Sequence, residues 1–310
     1  LLFEAANIAG GRARSLQQSF AGKPLDNGQH VLIGAYRDTL ALMRTVGLNP
    51  DALLQRIPLD LRFADGQGIN LPNWPLPLNI LAGLGRAQGW TLKDKASLIQ
   101  AAWGWQRARF ECEPTLTVAQ LCEASNLSAR VMTQLVEPLC LSALNTPMNE
   151  ASATVFLRVL HDALLGGSGS SDLLVPRVDL GALFPDACLQ WLSAHGADVH
   201  LGTRISATQV EALQHAASTD SAVILACPPW EAARLTADIA PKWAYACAEL
   251  SHTAIATVYL QCKDAGFKGL ARPIMALHSD AHAPAQFVFD KGVLSEQHGL
   301  LAAVVSACTT

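Results

Sequence analysis

Charge is scarce in this sequence, and no long apolar run takes its place. Lys, Arg, Asp and Glu make up 15% of the 310 residues, against about 25% in a typical soluble protein. The cations form no stripe or run, and the net charge is −4. Phosphate recognition needs clustered cations, so no nucleic-acid partner is expected. No stretch reaches the roughly 18 uncharged apolar residues of a membrane-crossing helix. The most apolar windows, Leu76 to Leu84 and Ala222 to Cys227, are too short to span. A cationic start followed by an apolar signal core is also missing. Eight cysteines (Cys112, Cys122, Cys140, Cys188, Cys227, Cys247, Cys262 and Cys308) include no CxxC pair. They read as buried reduced thiols, which points to a cytoplasmic compartment.

Two nucleotide and hydrolase signatures are lacking as well. Gly166-Gly167-Ser168-Gly169-Ser170-Ser171 has no Lys-Ser/Thr after it, so it reads as a flexible link rather than a phosphate cradle. No Gly-x-Ser-x-Gly elbow supports Ser/His/Asp catalysis. His278-Ser279-Asp280-Ala281-His282 offers two imidazoles and a carboxylate, but no further ligand cluster accompanies it. With Pro284 close behind, an exposed loop is expected there and no metal.

Half of the residues are hydrophobic, which excludes disorder because enough apolar surface exists to offset chain entropy. The length fits one large domain or two. Leu1 to Ala5 and Leu300 to Ala307 both read as strands and lie at the ends of the chain. Termini usually fall in exposed, weakly structured chain, so the sequence is expected to be a piece of a longer protein.

Between the ends, three segments differ in pattern. A helix is expected from about Tyr36 to Val46, with Leu40, Leu42, Met43 and Val46 at helical spacing and a stop at Gly47. Residues 57–71 alternate around Asp65-Gly66, which predicts a hairpin. From Trp74 to about Leu165 the periods become three and four, with Thr117 and Ser128 as expected N-caps. Strands follow at Asp198 to Leu201, Ala222 to Ala226, Ile255 to Gln261 and Leu300 to Ser306, and a helix at Leu183 to His195. Strands alternating with helices predict an α/β fold: residues 1–71 and 166–310 form the α/β part, interrupted by a mainly helical domain at 72–165 that would face substrate or membrane.

The chemistry suggested by the first segment is dinucleotide binding. Glu4 closes a hydrophobic strand, and Gly10, Gly11 and Arg12 follow. An acid at that strand end accepts hydrogen bonds from ribose hydroxyls. The glycines let backbone approach a cofactor, and Arg12 could neutralise its pyrophosphate. The same residues would also suit a plain surface turn.

The order Phe3-Glu4-Ala5-Ala6, Gly10-Gly11-Arg12-Ala13-Arg14-Ser15 and Leu25-Asp26-Asn27-Gly28-Gln29-His30 resembles the FAD-dependent amine oxidases and carotenoid desaturases. The run from Leu25 through Gly34-Ala35-Tyr36-Arg37-Asp38-Thr39-Leu40 is similar to the squalene-associated desaturases, understood as hydroxysqualene dehydroxylases. Leu174 to Leu180, Leu183-Phe184-Pro185 and Ala222 to Pro229 resemble the same group, so the likeness covers essentially the whole chain.

The resemblance implies an FAD/NAD(P)-binding Rossmann-like α/β domain, incomplete here, with an inserted helical substrate domain. It implies FAD as cofactor, with Glu4 on the ribose and Gly10, Gly11 and Arg12 against the dinucleotide. Asn27, Gly28, Gln29 and His30 would lie near the isoalloxazine ring, and the Ile205 backbone near adenine. A glycine fingerprint would precede Leu1 in this family, and a Gly-Asp segment would follow the last residue. Their absence implies that the 310 residues alone hold FAD poorly.

The implied reaction is reductive loss of the hydroxyl of hydroxysqualene, an isoprenoid lipid, with His30 as the candidate acid. Phytoene-type desaturation or amine oxidation on the same fold are alternatives, and so is a cofactor-less lipid- or partner-binding role. A long isoprenoid would suit a peripheral enzyme on the inner face of the membrane, with the stretch Trp74-Pro75-Leu76-Pro77-Leu78 to Leu81 dipping into the bilayer surface. Trp74, Trp90, Trp103 and Trp105 could line a lipid tunnel or pack the core.

Overall fold

Local signals fix most of the helix ends. Helix Arg37–Thr45 stops where Gly47 turns to φ +87°. There the Leu48 and Gly47 N–H groups donate to Met43 and Arg44 carbonyls at 3.0 Å each, a Schellman closure. Helix Leu92–Arg107 opens on a capping box in which Thr91 and Asp94 satisfy each other's backbone N–H. Thr117 caps Val118–Ala124, and Ser128 caps Ala129–Val131. These elements belong to a computed structural model that describes every residue except 75–76, 218–220, 265 and 309–310.

Within the helical pattern expected from Trp74 to about Leu165, the part from Val118 to Leu144 is not one helix. It breaks after Ala124, resumes at Ala129–Val131, and passes through a π-helical turn, Met132–Val136, into Glu137–Leu144. Pro138 has no N–H for the Gln134 carbonyl and its ring crowds that group, which the wider turn relieves.

The chain divides into two compact units. One comprises residues 1–11 and 188–252, the other residues 12–187 and 253–310. In the smaller unit, Leu2–Phe3 pairs in parallel with Val199–His200. Helices Ala207–Ala216, Pro229–Thr236 and Pro241–Ala248 complete it. The strand expected at Ala222 to Ala226 does not form. Residues 221–226 carry no regular structure, and Ile224 is 85% exposed. A strand that apolar throughout needs a paired neighbour at its edges and cover on both faces, and among the described residues none flanks it.

In the larger unit, an antiparallel sheet has the order Ala254–Gln261, Leu300–Cys308, Phe287–Asp290, Ile274–Ala276. Its inner residues, among them Phe289, Ala302 and Val304, pack with Leu61 and Phe63 of the Asp60–Arg62 and Gly68–Asn70 hairpin region. Helical residues Val118, Val131, Phe156 and Leu157 finish the same core. A smaller core joins Leu40 and Met43 to Leu54, Leu174 and Leu180. The glycine-serine segment is not a loose link: Ser170 is buried, and its hydroxyl donates to the Ala163 and Gly167 carbonyls at 2.6 and 2.8 Å. The Gly34 and Ala35 N–H groups then donate to the Asp172 and Ser170 carbonyls, both at 2.9 Å.

Candidate functional site

In the smaller unit the backbone of Glu4 is held from both sides. Its N–H donates to the His200 carbonyl at 3.0 Å, and its carbonyl accepts from Thr203 N–H at 2.8 Å. The carboxylate turns onto its own loop, where Oε1 accepts from the Ala6 N–H at 2.7 Å. That bond holds one oxygen and fixes the direction of the other. Next to Glu4, Phe3 shares a cleft of about 370 Å³ with Ile205 and with Gln209, Ala212, Leu213 and Ala216 of one helix. The Ile205 carbonyl accepts from Arg234 Nη2 at 3.3 Å. Phe3 and Ile205 thus flank an apolar slot, with Glu4 next to Phe3 in the chain. Gly10 and Gly11 follow at φ +103° and +56°, a region that disfavours side chains. The space where a Gly11 Cβ would stand is open.

In the larger unit, the hairpin Ser15–Phe20 and Lys23–Asp26 brings Arg12 to the loop at Asn27. Asn27 N–H donates to the Arg14 carbonyl at 2.9 Å, and Asn27 Nδ2 donates to the Arg12 carbonyl at 3.2 Å. Arg12 is exposed and, among the described residues, in no ion pair. Gln29 N–H donates to Thr257 Oγ1 at 3.2 Å, and Gln29 Nε2 to the His30 carbonyl at 3.2 Å. Its Oε1 is buried and has no hydrogen-bond partner among the described residues. A buried acceptor left this way is costly, about 1–3 kcal/mol, and marks a place where a donor is wanted.

His30 is half-buried, with Nδ1 3.1 Å from the Gly28 carbonyl. A carbonyl oxygen only accepts, so Nδ1 carries hydrogen and Nε2 is the nitrogen that takes up or gives a proton.

Behind this loop lies a polar group that sequence patterns did not mark. Asp26 and Lys291 are 5% and 3% exposed, with Oδ2 and Nζ 3.9 Å apart. Asp26 Oδ1 accepts from Leu180 N–H at 2.8 Å, and its carbonyl accepts from the Tyr259 hydroxyl at 3.1 Å. Burial raises the Asp26 carboxyl against the pull of the Leu180 bond and of Lys291, and burial lowers Lys291 against the pull of Asp26. Burial and then the Asp26 charge push Tyr259 up to about 12. Asp290 sets Lys291 in place by capping the helix Lys291–Ser295 from the end of its strand. Asp26 and Lys291 are too far apart in the chain for any local pattern to join them. The one available signal was the polar period of two at Thr257, Tyr259 and Gln261 in the strand Ala254–Gln261, of which Thr257 and Tyr259 bond to Gln29 and Asp26.

The remaining candidates resolve differently. Trp90 and Trp105 are buried, and their Nε1–H groups donate to Gln134 Oε1 at 2.8 Å and Ser125 Oγ at 2.9 Å. Trp74 and Trp103 are exposed. Two pack the core and two face solvent, so the four do not line a shared tunnel. His278 stacks on Phe63 with ring centroids 4.1 Å apart, and its Nε2 lies 3.4 Å from Asp65 Oδ2. Asp280 accepts from the His282 and Ala283 N–H groups of its own loop. Among the described residues no group of three or more His, Cys, Asp or Glu could hold a metal ion, and all eight cysteines are free. Pro75 and Leu76 of the apolar stretch lie outside the described residues.

The chain is similar to known proteins in sequence and in fold. A hydroxysqualene dehydroxylase of Rhodopseudomonas palustris is 28% identical over 75% of this chain and 56% of its own length. One of Zymomonas mobilis is 26% identical over 77% of the chain and 58% of its own length. The chain therefore spans little more than half the length of the curated relatives it matches. Among solved structures, an oxidoreductase from Methanosarcina mazei superposes with a TM-score of 0.65 at 14% identity, over 99% of this chain and 73% of that one. A putrescine oxidase bound to putrescine gives 0.61 at 15% identity, over 98% and 69%. Both likenesses establish an α/β fold of the amine oxidase type. The model of the flavin-containing amine oxidoreductases matches residues 1–288, and the chain belongs to that family.

Proposed function

We propose that this chain serves an FAD-dependent oxidoreductase that removes the hydroxyl of hydroxysqualene reductively and releases squalene. The observation that carries the reading is the agreement of the curated relatives, each named hydroxysqualene dehydroxylase and each aligned over about three quarters of the chain. The residues present fit the cofactor. Glu4 and the slot beside Ile205 suit an adenosine, Arg12 is a cation available to a pyrophosphate, and the orphaned Oε1 of Gln29 suits a donor edge such as that of a flavin ring.

When bound and reduced, the flavin supplies a hydride equivalent to the carbon that loses oxygen. Departure of the hydroxyl as water would require one proton from the protein. His30 holds that proton at Nε2, because Nδ1–H is fixed on the Gly28 carbonyl. Asn27 and Gln29 orient the loop through the Arg12, Arg14 and Thr257 bonds. We assign residues 1–71 and 166–310 to the cofactor-binding part. The helical stretch 72–165 shapes the apolar binding surface for the isoprenoid and excludes water.

The test is product analysis without oxygen. Protein loaded with FAD and reduced should convert hydroxysqualene to squalene, and His30→Gln should slow the conversion while leaving bound flavin. Loaded, reduced protein that returns hydroxysqualene unchanged would overturn the reading. Oxidised protein that desaturates a carotenoid precursor or an amine instead would replace it.

A further inference from the structure

The helix Leu92–Arg107 is apolar on two opposite sides. Asp94, Ala101 and Trp105 point inward and are buried. Spacings of four, three and four place Leu92, Ala96, Ile99 and Trp103 on the outward stripe. Leu92 is 85% exposed, Ile99 53% and Trp103 62%. A surface helix ordinarily turns polar residues to that side, and an exposed apolar patch of this kind marks an interaction site. The preceding helix, Leu78–Arg86, likewise exposes Leu78 and Leu81, with Trp74 exposed just ahead of it. Lys95 ties the two helices by donating to the Gly85 carbonyl at 2.9 Å.

Along the two helices the charges near these residues are mostly positive, and the exposed acids Glu111 and Glu113 come only after the second helix has ended. From residue 77 to residue 110 the cations are Arg86, Lys93, Lys95, Arg107 and Arg109, and the one acid is Asp94. Asp94 is buried and engaged by Thr91 in the capping box. In a chain of net charge −4 this surface is positive. Two of its guanidinium groups stand over the outward indoles, Arg86 5.1 Å from the Trp74 ring and Arg107 5.2 Å from the Trp103 ring.

We propose that this face docks on an anionic lipid bilayer. Leu78, Leu81, Leu92 and Ile99 enter the boundary of the acyl chains. Trp74 and Trp103 lie at headgroup depth, and the flanking cations meet lipid phosphates. Aliphatic side chains that project singly, ringed by cations and edged by tryptophan, match a fluid acidic surface. A protein partner would leave the five cations without acids unless it supplied them at each point. The proposal rests on neither cofactor nor substrate, so it stands or falls apart from the dehydroxylase reading.

Flotation with lipid vesicles tests it. The purified protein should float with vesicles of phosphatidylcholine and phosphatidylglycerol, bind pure phosphatidylcholine less, and lose binding as salt rises. Leu92→Ser/Ile99→Ser/Trp103→Gln changes only exposed side chains and should lower partitioning by about tenfold or more. Leu78→Ser/Leu81→Ser provides a second, separate variant should the first fail to fold. Lys93→Glu/Arg107→Glu should abolish the preference for phosphatidylglycerol. No binding to the anionic vesicles would overturn the proposal, as would binding that folded apolar variants leave unchanged. Self-association of the wild type that the apolar variants abolish would assign the face to a second copy instead.

Discussion

Replacing Lys291 with Met removes one charge from a buried pair and keeps nearly the same volume. At 3.9 Å, with an effective dielectric of about 20, the attraction lost is about 4 kcal/mol. Desolvation of the ammonium is relieved at the same time, but the Asp26 carboxylate stays buried without its partner. Breaking such a pair from one side costs about 3–5 kcal/mol, or roughly 10 °C in Tm for a unit of this size. The sign of the pH dependence follows from the directions of the shifts. Asp26 is raised by burial, so the fold holds its proton more tightly than the unfolded chain does, and its contribution falls as pH rises through the folded value. Lys291 is lowered by burial, so its contribution falls as pH drops through the depressed value. Wild type has both effects in opposition, and Lys291→Met keeps only the first. The deficit should therefore shrink as pH falls from neutral toward the raised Asp26 value, by up to about 1.4 kcal/mol per unit. Asp26→Asn/Lys291→Met should recover most of the loss, because Asn still accepts from Leu180. Urea unfolding of wild type and the two variants across pH is the assay. A single variant within about 0.5 kcal/mol of wild type, a deficit independent of pH, or a double variant no better than the single would refute the reasoning.

Two further outcomes follow from buried groups. Cys122 and Cys140 are pushed up to about 12 and about 11, chiefly by burial, so a thiol reagent at pH 8 should modify both only after unfolding; reaction with either in the native protein would contradict their packing. Gln134→Ala should cost about 1–3 kcal/mol, because it strands the Trp90 Nε1–H that now donates at 2.8 Å, and Trp90→Phe/Gln134→Leu should regain much of it in thermal unfolding.

Where local chemistry decides, the sequence reads well. Gly47 ends its helix, Asp65-Gly66 turns a hairpin, and Thr117 and Ser128 cap helices, since each effect reaches only a few residues. The strands near Ile255 and Leu300 were legible from their length and apolar density. Ala222 to Ala226 has the same density yet lies exposed, because composition does not say whether a neighbouring strand is there to pair. Trp103 misleads in the opposite way: its type suggests core, and its helical phase sends it to solvent. In the site, Asn27 to His30 and Arg12 were legible as a motif. The Asp26–Lys291 pair and the unsatisfied Oε1 of Gln29 come from tertiary packing that no local spacing encodes.

The central claim is that Asn27 to His30 meets a flavin, and titration with FAD followed by visible absorption tests it most directly. Three proteins suffice: wild type, Gln29→Leu, and Gln55→Leu, whose side chain also buries an Oε1 without a partner among the described residues. Because the 310 residues are expected to hold FAD poorly, the account predicts weak perturbation of the flavin bands that saturates only at high FAD in wild type and Gln55→Leu, with altered bands in Gln29→Leu alone. Bands that remain those of free FAD throughout, or that are identical in wild type and Gln29→Leu, would contradict it.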